Sequence, residues 1–211
     1  GEGGMITTND EALADRIRRF GSLGYATVKA AAGQGKITKE TIQDPAYERH
    51  ASVGFNYRLS ELCAAVALGQ LERLSELVEM RVASARLLAE AAEGCHWLTP
   101  QAVPPGHVHS YWTYVLHLSP EVDFTWYDFR NKYKELGGDG IYGAWQLTYL
   151  EPAFRGVRFS PKQTQTFARG LCPVAEAVQP RLLQFKTNYF DLGVAAQKAE
   201  ALAKTIAYFG R

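Results

Sequence analysis

The sequence predicts an α/β chain. The first half reads as part of a larger α/β domain, and the second half as a small α+β domain of helices with a mostly antiparallel sheet. Three observations predict this. Residues 59–92 and 192–209 carry apolar side chains at helical intervals. Tyr111–Leu118 alternates bulky side chains in a strand pattern. Between them Pro100, Pro104, Pro105 and Gly106 mark a linker, so the expected domains are 1–94 and 95–211.

The totals narrow the function classes. The chain has 211 residues, of which 46% are hydrophobic and 12% aromatic, enough for a true core. Basic and acidic residues nearly balance at 23 and 22, without a basic stripe or polybasic run, so neither nucleic acid nor a membrane surface is an expected partner. No apolar run approaches the ~18 to 20 residues of a membrane span, and no signal peptide is expected. Cys63, Cys95 and Cys172 are scattered and odd in number, which predicts reduced cytoplasmic thiols and no zinc site. The chain opens at Gly1-Glu2-Gly3-Gly4 and runs at once into an apolar segment, so further sequence is expected before residue 1.

Taken in order, Met5–Thr8 reads as a short strand. Thr8 and Glu11 have capping-box spacing for a helix over 9–20, with Leu13, Ile17 and Phe20 on its apolar face. Gly21 and Gly24 close it. Residues 22–53 form a long connection, of the kind that is usually functional or mobile. His50, near its end, is either a catalytic base or a solvated loop histidine. From Leu59 to Ala92 the pattern is helical, with a register shift near Gly69–Leu74 that predicts a bend or two helices.

In the second half, Thr125–Leu136 predicts a helix with Trp126, Phe129 and Tyr133 on one side. Gly140–Trp145 reads as a second strand. Short helices are expected over 162–170 and 174–185, and a last one over 192–209 with Ala195, Ala199, Leu202 and Ile206 facing in. His107 and His109 flank Val108 and can face one side of an extended segment. They read as substrate hydrogen bonders, as structural residues or as metal ligands, although no third ligand lies close in sequence and no metal is expected. Tyr142, Trp145 and Tyr149 can line a sugar or ring pocket, or can be core.

The most chemical stretch is Gly54-Phe55-Asn56-Tyr57-Arg58-Leu59-Ser60-Glu61. If it is extended, Asn56 and Arg58 point to one side. An amide beside a guanidinium makes an edge that reads phosphate or carboxylate. Ser60 is a good N-cap and Glu61 suits a first helical turn. The plainer reading is a well-capped helix start.

The opening Gly1–Asn9, the run Arg16–Gly21 and the block Gly54–Glu61 with Ala64-Ala65 together resemble the DegT/DnrJ/EryC1/StrS family of pyridoxal-phosphate (PLP) sugar aminotransferases. Gln70–Leu74, Arg81, Tyr111–Val115, Gly140-Ile141, Leu150–Phe154 and Pro173–Glu176 continue the likeness over nearly the whole chain. The resemblance implies the C-terminal portion of a fold-type-I PLP enzyme. Such an enzyme is a homodimer acting on nucleotide-linked keto-sugars, with glutamate as amino donor, in lipopolysaccharide or antibiotic sugar synthesis. It implies that Asn56 reaches the cofactor phosphate of the partner subunit and that Arg58 lies near that shared site. It also implies that the segment at His107, His109 and Tyr111, with the tyrosine-rich strand that follows, approaches the sugar, where Tyr142 is the further candidate from its ring alone.

The family's Schiff-base lysine lies a few residues before the GEGG motif, so the resemblance implies no catalytic residue within this chain. Lys29, Lys36 and Lys39 stand in the wrong place to substitute for it. The chain alone is then expected to be catalytically silent and not to hold PLP stably. Two alternatives stay open. Relatives with His at the lysine position are pyridoxamine-phosphate-dependent sugar dehydratases. A chain that kept only the dimer-forming half would be a non-catalytic interaction domain.

Overall fold

The computed structural model describes residues 3–28 and 38–210, apart from the side chain of Ile42. Gly1, Glu2, Lys29 and Lys36 therefore lie outside the described residues. The fold mixes helices with one three-stranded antiparallel sheet. The chain divides into two compact units, Gly1–Glu72 and Arg73–Arg211. The division expected at 94/95 falls inside the second unit, because helix α4 (Leu74–Ala92) packs along the last helix. Its small Ser84 and Ala85 are buried in that contact region together with Leu88.

In the first unit, residues 3–8 form no strand, and Met5 and Ile6 are largely exposed, so the expected Met5–Thr8 strand is not made. Helix α1 (Glu11–Gly21) starts two residues later than expected. Asp10 is its N-cap, with Oδ1 accepting from the Leu13 amide at 2.9 Å. The expected Thr8–Glu11 capping box does not form, because Thr8 Oγ1 instead accepts from the Asp10 amide at 3.1 Å. A short helix α2 (Lys39–Gln43), capped by Thr38, lies within the expected connection. Helix α3 (Glu61–Leu71) is capped by Ser60, whose Oγ accepts from the Cys63 amide at 3.3 Å. Arg73, at φ −107° and ψ 7°, separates α3 from α4, where the register shift predicted a break. No residue of α3 is buried.

The second unit carries the sheet: β1 (Leu98–Pro100), β2 (Thr113–Leu118) and β3 (Leu182–Lys186), in spatial order β1-β2-β3. In register, Leu98 pairs with Leu118, and Tyr114 with Phe185. β3 occupies part of the helix expected over 174–185. Helix α6 (Pro173–Val178) ends there and a 3-10 turn, Gln179–Arg181, follows. Pro180 fixes its own φ and restricts Gln179, so the helix cannot run on. Leu182–Lys186 then alternates burial as a strand does.

Two further elements differ from expectation. The strand expected at Gly140–Trp145 is reduced to a single bridge, Tyr142 with Gln184. The helix expected at 162–170 is replaced by turns, in which Gln163 Oε1 accepts from the Phe159 amide and its Nε2 donates to the Gln165 carbonyl. Such side-chain bonds compete with helix formation.

Helix α5 (Trp126–Glu135) has a complete capping box, Thr125 with Asp128. Helix α7 (Leu192–Phe209) buries Ala195, Ala199, Leu202 and Ile206, as its periodicity predicts. These helices and α4 cover one face of the sheet. Leu116, Leu183, Phe129 and Leu202 are fully buried there, with Phe185 and Tyr133 beside them. Alternation sends Thr113, Gln184 and Lys186 to the other face, and that face carries the candidate site.

Candidate functional site

In the first unit, the Gly54 block runs antiparallel to the end of α1. The Phe55 amide donates to the Phe20 carbonyl at 2.7 Å, and the Tyr57 amide to the Gly21 carbonyl at 2.9 Å. Gly54 makes this approach possible: a Cβ there would lie 2.3 Å from the Gly24 nitrogen. Gly24 has φ +73° and is equally confined, with Ser52 O 1.8 Å from where its Cβ would be. Phe55 and Tyr57 stack at 5.4 Å, with Phe20 beside both.

Asn56 and Arg58 come together as expected. Arg58 Nε donates to Asn56 Oδ1 at 2.9 Å, and both residues are exposed. That bond uses the amide oxygen. It leaves the amide NH2 and the terminal guanidinium nitrogens as donors for an anion. His50 does not join them: its Nδ1 lies 2.7 Å from the Leu23 carbonyl, which can only accept, so Nδ1 carries the proton. Its ring sits 5.0 Å from that of Tyr25. This is a structural histidine tying the loop to the end of α1.

In the second unit, a cleft of about 720 Å³ opens on the free face of the sheet. Trp112 reaches it from just before β2, Thr113 from β2, Gln184 and Lys186 from β3, and Asn188 from just beyond. Arg81 comes from α4, and Tyr142–Trp145 closes the far side. Trp112, Tyr142 and Trp145 are 75%, 63% and 89% exposed, so their rings are not core. A smaller recess of about 380 Å³ shares Tyr142 and Lys186 and adds Arg130, Asp139, Gly140 and Ile141. Exposed rings beside Lys186 and Arg130 suit a planar ring that carries an anionic group.

Asp139 does not compete for that anion site as a free carboxylate. Burial alone would raise its carboxyl. Hydrogen bonds from Tyr189 Oη at 2.7 Å and Lys198 Nζ at 3.2 Å, with the charges of Lys198 and Lys186, hold it below its ordinary value.

The profile of the DegT/DnrJ/EryC1/StrS aminotransferase family matches residues 1–188. The chain belongs to this family. Over 122 residues it is 30% identical to the UDP-4-amino-4-deoxy-L-arabinose–oxoglutarate aminotransferase of Shewanella sediminis, a match covering 56% of this chain and 29% of that one. Over 81 residues it is 40% identical to the GDP-perosamine synthase of Caulobacter vibrioides, covering 38% of this chain and 17% of that one. Among solved structures, an aminotransferase from Psychrobacter cryohalolentis superposes with a TM-score of 0.74 at 22% identity, over 96% of this chain and 51% of that one. A Helicobacter pylori aminotransferase involved in the biosynthesis of pseudoaminic acid superposes at 0.65 and 17% identity, over 95% and 48%. The chain thus spans about half the length of these solved structures.

Of the expected sugar-facing residues of this family member, only Tyr142 lines the cleft, with Trp145 beside it. His107 lies 3.2 Å from the Pro105 carbonyl through Nδ1. His109 Nδ1 accepts from the Tyr111 amide at 2.8 Å, and the two rings lie 4.5 Å apart. Tyr111 has a left-handed φ of 47°, a strained setting for an aromatic residue. His109 and Tyr111 thus shape the corner before Trp112 without lining the cleft. Tyr149 is also elsewhere. Its hydroxyl donates to Glu176 at 2.5 Å, and burial with that partner pushes it up to about 12.

Sequence reasoning missed Arg81, Trp112, Gln184, Lys186 and Asn188 as lining residues. The signal was present in Leu183–Lys186, which alternates apolar and polar residues. Reading that segment as a helix hid it. Among the described residues no helix is long and apolar enough to cross a membrane.

Proposed function

We propose that this chain supplies part of a PLP-dependent aminotransferase acting on a nucleotide-linked keto-sugar, with glutamate as amino donor and a homodimer as the working form in the cytoplasm. The observation that carries the reading is the Asn56–Arg58 pair, hydrogen-bonded at 2.9 Å within the family's own block. Its remaining donors suit the phosphate of PLP, so the residues present fit that part of the cofactor. When bound, PLP supplies an electron sink for amino transfer. The task of Asn56 and Arg58 is then to orient and neutralise a phosphate. The task of the cleft is to hold the nucleotide-sugar: Tyr142, Trp112 and Trp145 offer faces for a ring, and Lys186 and Arg130 offer charge to a diphosphate. Two relatives whose names carry UDP- and GDP-linked sugars support this substrate class.

The homodimer is supported by α3. Leu62, Val66, Leu68 and Leu71 are each more than half exposed, leaving an apolar helix that a partner subunit can cover.

Calorimetric titration of the whole enzyme of which this chain is a part, with PLP and, separately, with UDP and GDP, tests the reading. Asn56→Ala and Arg58→Ala weaken PLP binding by about tenfold each, the effect of losing one charged hydrogen bond, and leave nucleotide binding unchanged. Trp145→Ala does the reverse. Equal affinities across wild type and all three variants overturn the assignment.

A further inference from the structure

The cleft's two tryptophans have little packing of their own, yet the main chain beneath each is held by a side chain outside the lining. Gln179, in the 3-10 turn after α6, donates through Nε2 to the Ala144 carbonyl at 2.8 Å and to the Trp145 carbonyl at 3.1 Å. Its turn is anchored in turn: Arg181 Nη1 donates to the Ser119 carbonyl at 2.9 Å, and Trp126 Nε1 to the Leu182 carbonyl at 3.0 Å. On the opposite wall, the fully buried Thr187 donates its hydroxyl to the Tyr111 carbonyl at 2.6 Å and lies 3.1 Å from the Trp112 carbonyl. Arg81 Nη1 donates to the Trp112 carbonyl at 3.1 Å and to the Thr187 hydroxyl at 3.2 Å. Thr187 therefore helps to hold Tyr111 at its left-handed φ of 47°, the kink that sends Trp112 into the cleft.

We propose that Gln179 and Thr187 are positioning residues that fix the Trp145 and Trp112 walls of the cleft, so that a ring-bearing ligand meets two preset faces rather than two mobile ones; this rests on the nucleotide-binding reading above. Neither residue lines the cleft. Both act through main-chain carbonyls, and the rings they carry are 89% and 75% exposed. An exposed indole on an untethered loop loses rotamer and backbone freedom when a ligand stacks on it, and prior ordering removes that cost. The two donors are separate in sequence and converge on one cleft from opposite sides. A purely local role for either would not explain that convergence.

The test uses the full chain with Gln179→Met and Thr187→Val, which keep shape and remove the donor. Three quantities are measured: the melting temperature, the 15N relaxation of the Trp145 and Trp112 indole N–H groups, and the affinity for UDP and GDP. In Gln179→Met the Trp145 indole becomes mobile on the nanosecond timescale while Trp112 does not. Thr187→Val does the reverse. Each variant weakens nucleotide binding by roughly fivefold. Gln179→Asn, which keeps the amide on a shorter stem, recovers part of the order. Indoles as ordered in both variants as in wild type overturn the proposal. So does loss of order at both indoles together with a large fall in melting temperature, because that is general loosening. Selective loss of order in proteins that bind neither nucleotide, wild type included, sustains the positioning role and overturns the nucleotide reading instead.

Discussion

Helices α3 and α7 are both rich in Ala and Leu, yet they have opposite fates. In α7, Ala195, Ala199, Leu202 and Ile206 are buried against the sheet and its companion helices. In α3, no residue is buried, and Leu62 is 82% exposed. The difference lies in the surroundings. The second unit encloses a core built from three strands and three helices, whereas the first is held by backbone pairing between Phe20–Gly24 and Gly54–Tyr57 and by a small ring cluster. An apolar helix therefore marks a need for burial without saying where the covering surface comes from.

The sharpest way to break this comparison is a matched pair of truncations. Leu202→Ala, at a fully buried site, costs about 2–5 kcal/mol, and Leu62→Ala, at protein concentrations where the chain is monomeric, stays within about 0.5 kcal/mol. Urea denaturation of each variant reads this from the midpoint at unchanged slope, and similar losses would erase the distinction between the helices. Next in size is Gly54→Ala. Its Cβ would stand 2.3 Å from the Gly24 nitrogen, so the pairing must shift, at about 1–3 kcal/mol. Hydrogen exchange at the Leu23 and Tyr57 amides reports it, rising for this variant while the second unit's amides are unchanged.

A pH scan that compares wild type with Asp139→Asn isolates one carboxyl of the second unit. The Asp139 carboxyl is held below its ordinary value, so its contribution is present above the unfolded value of about 3.9 and is lost as pH falls through the folded one. The melting temperature should drop more steeply below about pH 4 in wild type than in Asp139→Asn, which has no proton to gain. Superimposable acid limbs would remove Asp139 from the account. The smallest effect belongs to the exposed pair. Asn56→Ala and Arg58→Ala leave stability within about 0.5 kcal/mol, because their bond is solvent-facing. Any larger fall in midpoint means that the pair supports the fold rather than an anion.

Legibility followed locality. The Ser60 cap, the α3–α4 break, the helix at Thr125–Leu136 and the whole of α7 were readable because spacing and capping chemistry act over a few residues. The Asn56–Arg58 pair was readable for the same reason, two residues apart on one side of an extended segment. Errors arose where a distant partner decides. β1 is a strand because β2 lies beside it, and Leu182–Lys186 is one because Pro180 stops α6 and β2 offers a free edge. His109 and Tyr111, expected to approach the sugar, shape the corner before Trp112, a turn set by contacts that spacing does not show.

By itself, the sequence determined α3, α5 and α7, the Ser60 cap, the family likeness and the juxtaposition of Asn56 with Arg58, since each depends on short-range sterics, hydrogen bonding or a contiguous motif. Only the tertiary structure decided the cleft. Arg81, Trp112, Tyr142, Gln184 and Lys186 are drawn from distant parts of the chain. They meet because strand alternation, once β2 and β3 pair, sends one set of side chains into the core and the other onto the free face.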